Sequence, residues 1–182
     1  MSADMVQKQQ LKMAIAAEKI DRLPTIDVPP GYELRAYRAG DEDAWLRVLH
    51  RAGFEGWDRP RLDDYLSDDE RRDGSRIAAY RRHAVAVIFA SRNDHAGVLD
   101  FVATDPNHQG KGLGRAVCTS VLKFFRERRC DAVELGTDDE RLPAIHLYLS
   151  MGFEPVMCAD DMAGRWQAVK VALTRREASC SD

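Results

Sequence analysis

One loop carries the most specific signal in this chain of 182 residues: Gln109-Gly110-Lys111-Gly112-Leu113-Gly114. Its three glycines stand directly before apolar residues at helical spacing, which predict a helix from Gly112 to about Arg129. Glycine lets the backbone turn sharply and approach a ligand closely. The start of a helix adds unpaired N–H groups and a partial positive charge. The stretch therefore predicts an anion site between a strand and a helix.

The spacing within the loop disfavours two common nucleotide-binding motifs. A P-loop requires Ser or Thr after its Gly-Lys pair, whereas Gly110-Lys111 is followed by Gly112. The dinucleotide fingerprint requires Gly or Ala at its last position, which is Arg115 counted from Gly110 and Val117 counted from Gly112. Neither motif fits.

The loop instead matches the pattern Gln-x-x-Gly-x-Gly, and in the segment Thr104–Gly114 the chain resembles the GNAT superfamily of N-acetyltransferases. A second block, Leu142–Pro155, resembles that family's Ala-Ile-x-Leu-Tyr-x-x-x-Gly-Phe segment. The two blocks occur in the family's order on the expected elements. The resemblance covers roughly residues 32 to 173, but specific motifs occur only between about 97 and 155, and the front third fits by element order alone.

The resemblance implies acetyl-CoA as cosubstrate, with its pyrophosphate bound by backbone amides of the loop. The implied residues are Gln109, Gly110, Lys111, Gly112, Leu113, Gly114 and Arg115. The side chains of Lys111 and Arg115 could add charge to the phosphates, although a lysine in a loop is as often simply solvated. The resemblance also implies that the backbone of Val102, Ala103 and Thr104 pairs with the pantetheine arm as an added strand would.

Two side chains are the candidate catalytic groups. Tyr148 matches the family tyrosine that protonates the departing thiolate; the alternative is a tyrosine that packs with Ala144 and Phe153. The family has no universal base, and Asp100 is the first candidate because it lies on the strand before the loop. The alternative is an outward-facing acid on an alternating strand.

Three further positions carry weaker signals. His108 and His146 are less favoured as bases, and His146 points to a different side of its helix from Tyr148. Many family members have Asn where this chain has Arg141, three residues before the Ala of the second block. This departure puts the cofactor contacts at that end in doubt.

The predicted fold class is α/β (α+β): a GNAT-like mixed, mostly antiparallel sheet of about seven strands flanked by about four helices. The predicted strands are Tyr32–Tyr37, Ile77–Tyr80, Ala84–Ala90, Gly97–Thr104, Asp131–Leu135, Phe153–Met157 and Trp166–Leu173. The predicted helices begin at Asp41, cover Arg61–Leu66 and Gly112–Arg129, and cover Ala144–Met151 with Pro143 in its first turn and Gly152 as a left-handed cap. The acidic segment Ser67–Gly74 is expected to form turns.

The chain is predicted to form one acyl-CoA N-acyltransferase domain over 32–173. Residues 1–31 form an N-terminal extension that is partly helical over 1 to about 23, with a partner-binding helix as the less favoured alternative. Residues 174–182 are expected to form a flexible tail.

Composition limits the classes of partner. The net charge of −3 gives no reason to expect a nucleic-acid surface. The four cysteines form no CxxC pair, and in a chain of this length they indicate reduced thiols and a cytoplasmic location. No apolar run predicts a membrane span or a signal peptide, and no HxH or HExxH pair predicts a metal.

The predicted function is N-acetyl transfer from acetyl-CoA to a primary amine of a small molecule or peptide by direct attack. The alternative is a non-catalytic acyl-CoA-binding sensor. The front helices and their acids (Asp63-Asp64 and Asp68-Asp69-Glu70) could attract a cationic amine or could be a solubilising surface. A homodimer is compatible with the resemblance.

Overall fold

A computed structural model describes residues 9–94 and 96–179 of the chain. The chain divides into two compact units. The large unit is Ile15–Leu135, and the small unit is Met1–Ala14 together with Gly136–Asp182.

The described residues form seven strands and seven helices, in agreement with the predicted mixed α/β class but with more helices than the four expected. In chain order they are β1 (Leu11–Ala16), α1 (Ala17–Ile20), β2 (Tyr32–Ala36), α2 (Glu42–Arg51), α3 (Arg59–Tyr65), α4 (Asp69–Gly74), β3 (Arg76–Tyr80), β4 (His83–Arg92), β5 (Gly97–Thr104), α5 (Leu113–Glu127), β6 (Ala132–Thr137), α6 (Leu142–Ser150), β7 (Glu154–Val156) and α7 (Met162–Ser179), with a 3-10 turn at Pro106–His108.

The large unit is built on strands in the order β2-β3-β4-β5-β6. Neighbouring strands are antiparallel up to β5, and β5 and β6 are parallel. The central strand β4 is buried over almost its whole length because both of its faces are covered. Phe89 contacts Trp45 of α2, whereas the next residue, Ala90, lies against Gly74 and faces the α4 and α5 side.

In the small unit, β1 pairs antiparallel with β7 through Lys12, Met13 and Ala14. Helix α6 has proline in its first turn, as expected. It is followed by Gly152 at a φ of 93°, which confirms the predicted left-handed cap.

The predicted helix at the N-terminus is wrong over Leu11–Ala16, which form a strand. Leu11, Met13 and Ile15 are buried while Lys12 is exposed, which is the period of two that a strand requires. Leu11 and Ile15 alone also fit a helical spacing, so the pattern was ambiguous. Helix is confined to Ala17–Ile20 in the described part of this segment, and residues 1–8 lie outside the described residues.

Two other predictions are wrong for identifiable reasons. The acidic segment expected to form turns contains helix α4, since the Asp68 side chain accepts a hydrogen bond from the Arg71 N–H and caps the helix. The segment Trp166–Leu173 is not a strand but part of α7, whose buried residues Trp166, Val169 and Leu173 follow the helical period. The described residues still form seven strands, because β1 takes the place of the strand predicted over Trp166–Leu173.

Part of the segment that was predicted to form a flexible tail, residues 174–182, is helical. Helix α7 continues to Ser179, and residues 180–182, including Cys180, lie outside the described residues. The division of the chain into an extension, a domain over 32–173 and a tail stays a prediction.

Replacing Met13 with alanine tests the strand at the N-terminus. Met13 is fully buried, so we expect the free energy of unfolding to fall by about 2–5 kcal/mol. Lys12→Ala changes an exposed neighbour and should alter it by about 0.5 kcal/mol or less. Urea unfolding measures both variants, and equal stability of the two would mean that this segment is only loosely docked.

Candidate active site

Strand β5 contains a β-bulge at Phe101. Its register against β4 shifts between the pairs Phe89–Asp100 and Val87–Ala103, so Phe101 and the residue after it stand opposite a single residue of β4. Phe101 has a φ of 46°, a left-handed conformation that costs a residue with a side chain about 1–2 kcal/mol. Bulges redirect side chains and end pairing, and backbone strain of this kind concentrates at functional sites.

On its other side, β5 loses its neighbour just before the bulge. The parallel pairing with β6 runs from Gly97 to Leu99, and the described residues form no β5–β6 pair after Leu99. Ala103 and Thr104 remain paired with β4. The backbone of Val102–Thr104 therefore presents an open edge on the β6 side, to which an extended ligand can add.

A tight turn connects this open edge to the glycine loop. The Asp105 N–H donates to the carbonyl of Val85 at 2.8 Å, and the Asp105 carboxylate accepts from the Asn107 N–H at 3.0 Å. Arg51 of α2 contacts the same carboxylate at 3.1 Å. These bonds fix the position at which the chain leaves β5 and enters the loop.

The loop itself has the conformation that its glycines permit. Gly110 and Gly112 both have a φ of 74°, and Gly112 is the residue that precedes the first turn of α5. A Cβ atom at either position would meet no atom within 4 Å, so the need for glycine is conformational. The first N–H groups of a helix have no partner within the helix, and residues 109–112 are exposed. The loop can therefore receive an anion.

The two polar side chains of the loop turn back onto the preceding turn. Lys111 Nζ donates to the carbonyl of Asn107 at 3.3 Å, and Gln109 Nε2 lies 3.5 Å from the carbonyl of Thr104. The Lys111 ammonium is exposed and lies beside the loop, where it can add charge to a bound anion.

Asp100 is held by two hydroxyl groups. Tyr65 Oη donates to its carboxylate at 2.7 Å, and Ser91 Oγ also donates to it. Burial, followed by the charge of Asp100, raises the pKa of Tyr65 above its ordinary value, so the phenol remains a donor. Asp100 is only half-buried, but these bonds distinguish it from the solvated acid that an alternating strand would have placed there.

Aromatic rings pack around Tyr65, one of the two donors to this carboxylate. Tyr65 packs against Trp57, Phe89 and Phe101 with ring centroids 4.7–6.3 Å apart, and Phe54 meets Phe101 at 5.7 Å. No sequence pattern indicated Ser91, whose hydrogen bond to Asp100 depends on the pairing of β4 with β5.

Tyr148 lies in the small unit, on α6. It is 6% exposed and meets Phe153 edge to face at 5.9 Å, so the packing contact considered for it is present. His146 is exposed on the same helix. Arg141, at the departure from the family pattern, donates to Asp138 at 3.1 Å.

His108, a less favoured candidate for the base, has a hydrogen-bond partner. His108 Nδ1 lies 2.8 Å from Tyr32 Oη. Cys118, Cys130 and Cys158 are free thiols, and burial raises the pKa of Cys118 to about 12, so it is not a nucleophile at neutral pH.

Two kinds of feature were not found in the part of the chain that the structure describes. It contains no group of three or more His, Cys, Asp or Glu side chains arranged to hold a metal. None of its helices is both long and apolar enough to cross a bilayer.

The large unit thus brings together Asp100, Val102–Thr104 and Gln109–Arg115 on one continuous strand, turn and helix start. Tyr148 belongs to the small unit.

Known proteins resemble this chain in sequence and in fold. A mycothiol acetyltransferase from Thermomonospora curvata is 34% identical over 145 residues, which cover 72% of this chain and 47% of the relative. A GCN5-related N-acetyltransferase from Sphaerobacter thermophilus superimposes with a TM-score of 0.67 at 23% identity, over 82% of this chain and 50% of that one. The ribosomal-protein-S18-alanine N-acetyltransferase from Escherichia coli gives a TM-score of 0.62 at 21% identity, over 69% of this chain and 79% of that one.

This chain spans about half the length of the curated relatives it matches. The family model of the acetyltransferase (GNAT) family matches residues 42–153, which include the bulged strand, the glycine loop and the Tyr148 block. The resemblance found in the sequence is therefore confirmed: the chain belongs to the GNAT acetyltransferase family.

Proposed function

We propose that this protein is an N-acetyltransferase that transfers the acetyl group of acetyl-CoA to a primary amine. The observation that carries the proposal is the open edge of β5, which begins beside the bulge and continues directly into the glycine loop and α5. This arrangement offers an extended backbone edge followed by an anion site, which suits a linear cosubstrate with a pyrophosphate at one end.

The loop supplies the groups for the pyrophosphate. Backbone N–H groups of Gln109–Arg115 surround the start of α5, where the helix dipole favours negative charge. Lys111 and Arg115 add two positive charges within the same segment. Backbone donors of this kind bind phosphate oxygens without moving a side chain.

The open edge supplies the groups for the pantetheine arm. Amides of the arm can pair with the backbone of Val102–Thr104 as a further strand would. An N–H of this edge would then be available to the thioester carbonyl and would stabilise the negative charge that develops on its oxygen during attack.

Asp100 is the proposed general base. Its carboxylate accepts from Tyr65 and Ser91 and keeps further lone pairs for the incoming amine. In the proposed step, Asp100 takes a proton from the ammonium directly or through one water. The neutral nitrogen then attacks the acetyl carbon, so that a C–N bond forms and the C–S bond breaks. The nitrogen releases its second proton to solvent as the amide forms.

Tyr148 is the proposed general acid. The leaving thiolate needs a proton, and a phenol has an ordinary pKa of about 10, close enough to that of a thiol to supply one. The family motif around Tyr148 supports this role, and a binding module would have no use for a proton donor.

The acceptor is proposed to be a cationic amine of a small molecule, with a peptide amine as the second choice. Asp100 suits an ammonium group because a carboxylate attracts a cation, and the aromatic rings packed around its partner Tyr65 can add to this attraction. The relatives named mycothiol acetyltransferase support a small molecule as the acceptor.

The location and the oligomeric state are also proposals. Free thiols at Cys118, Cys130 and Cys158 support a cytoplasmic location, and a homodimer stays a prediction.

Tyr148→Phe separates catalysis from binding. We expect turnover to fall about 10²–10⁴-fold, since the general acid is lost, while the Kd for acetyl-CoA stays within about twofold of wild type. A free-thiol assay with a panel of amines measures turnover and calorimetry measures Kd. Tyr80→Phe, on β3, is the matched control. Unchanged turnover would remove Tyr148 from the mechanism, and a wild-type protein that binds acetyl-CoA but acetylates no amine would favour the non-catalytic module.

Gly112→Ala tests the loop. The left-handed backbone at this position should cost the alanine variant about 1–2 kcal/mol, and we expect the Kd for acetyl-CoA to rise about tenfold. Gly53→Ala is the control, because Gly53 also has a positive φ and open space for a Cβ but lies after α2. Calorimetry with acetyl-CoA and with ATP decides the outcome, and binding of ATP without binding of acetyl-CoA would contradict the proposal.

Asp100→Asn tests the base. Asparagine can still accept from Tyr65 and Ser91 but cannot take a proton, so we expect kcat to fall about 10²-fold or more. Asp27→Asn, at an exposed site, should leave kcat unchanged. Steady-state kinetics against the amine gives both constants. A rise in KM alone would assign Asp100 to binding of the ammonium.

A further inference from the structure

The large unit contains a concave site that has no part in the proposed function, and we call it the arginine cavity. It has a volume of about 350 Å³ and lies between α2, the start of β4 and the turn after β5. Small-molecule pockets typically have volumes of about 300–1,000 Å³. Its polar walls are the side chains of Arg47, Arg51, His83, His108 and Asp105.

The single acid of the cavity is already satisfied. Asp105 accepts from the Asn107 N–H at 3.0 Å and pairs with Arg51 at 3.1 Å. Its side chain is only 13% exposed, compared with 48% for Arg51. A positive ligand would therefore have to displace Arg51 from a contact that also fixes the chain at the end of β5.

Two basic side chains of the cavity are available to a ligand. Within residues 9–94 and 96–179, the side chains of Arg47 and His83 form no ion pair and no hydrogen bond. Arg47 lies one helical turn before Arg51, so the two guanidinium groups share one face of α2. The turn before His83 adds Arg81 and Arg82 to the same end of β4.

The floor of the cavity is apolar. Val48 and Val85 are 2% and 4% exposed, and Ala84 lies beside them. This floor excludes water from one side of a bound charge, while Arg47 and Arg51 stay exposed at the rim. His108 is fixed in orientation by its contact with Tyr32 Oη at 2.8 Å.

From these observations we propose that the arginine cavity binds a small oxyanion, a carboxylate or phosphate group, at a place distinct from the glycine loop. None of the residues 109–115 lines the cavity. The turn Asp105–His108 connects the two sites along the chain, because Asp105 and His108 line the cavity and Gln109 follows directly. The anion has two possible sources, an acid group carried by the amine acceptor or a free anion.

The test titrates the intact protein with inorganic phosphate at constant ionic strength and pH, and follows the histidine ring resonances by NMR. His83 and His108 line the cavity, whereas His50 and His146 do not and serve as internal controls. We expect saturable shifts of the two cavity histidines alone. Arg47→Ala should raise the Kd for phosphate about tenfold, since it removes a charged partner. Arg47→Lys should raise it less, and Arg175→Ala, an exposed arginine on α7, should not change it.

The same variants separate the cavity from the proposed cofactor site. Gly112→Ala should leave the phosphate shifts of His83 and His108 unchanged, and saturating acetyl-CoA should not displace phosphate from them. Displacement by acetyl-CoA, or an unchanged phosphate Kd in Arg47→Ala, would overturn the inference. Circular dichroism of Arg47→Ala checks that the variant is folded.

A second arm identifies the source of the anion and rests on the proposed function. It compares KM for tyrosine and for tyramine, which differ in one carboxylate, as acceptors of wild type and of Arg47→Ala. A rise in KM for tyrosine alone supports an acid group on the acceptor. Equal effects on both, together with the loss of phosphate binding, support a free anion. Failure of all acetylation would count against the proposed function and leave the phosphate result intact.

Discussion

The left-handed backbone of Phe101 gives β5 two properties that a regular strand does not have. The bulge changes the register against β4, and the pairing with β6 ends two residues before it. Asp100 and the open backbone of Val102–Thr104 thereby become neighbours on one strand. The strain of about 1–2 kcal/mol at Phe101 is held in place by the aromatic rings of Phe54, Trp57 and Tyr65 around it.

The position of the glycine loop depends on the turn at the end of β5. Asp105 connects three elements, because it bonds to the carbonyl of Val85 on β4, to Asn107 in the turn and to Arg51 on α2. The helix that carries Trp45 into the core therefore also sets the position at which the glycine loop begins. Because Arg51 also pairs with Asp105, the one acid that lines the arginine cavity, Arg47 has no acidic partner among the described residues.

The sequence was sufficient to predict elements whose apolar residues recur at a clear spacing and whose ends carry capping residues. The helix after the loop, the buried strand β4 and the Gly152 cap all follow from local rules. It failed at Leu11–Ala16, where Leu11 and Ile15 fit both periods, and at Trp166–Leu173, where buried residues at i, i+3 and i+7 were assigned to a strand. It also missed the cap that Asp68 provides for α4, since an acidic run is compatible with either a turn or a helix start.

The site shows the same division between local and non-local information. The conformations of Gly110 and Gly112 could be inferred from the residue type, because only glycine adopts a positive φ without strain. The environment of Asp100 could not, because Tyr65 and Ser91 lie 35 and 9 positions away in the sequence. Only the folded chain brings these two hydroxyl groups to Asp100, because one comes from helix α3 and the other from the neighbouring strand β4. The position of the Asp100 carboxylate in the site is therefore a property of the tertiary structure and not of the sequence around it.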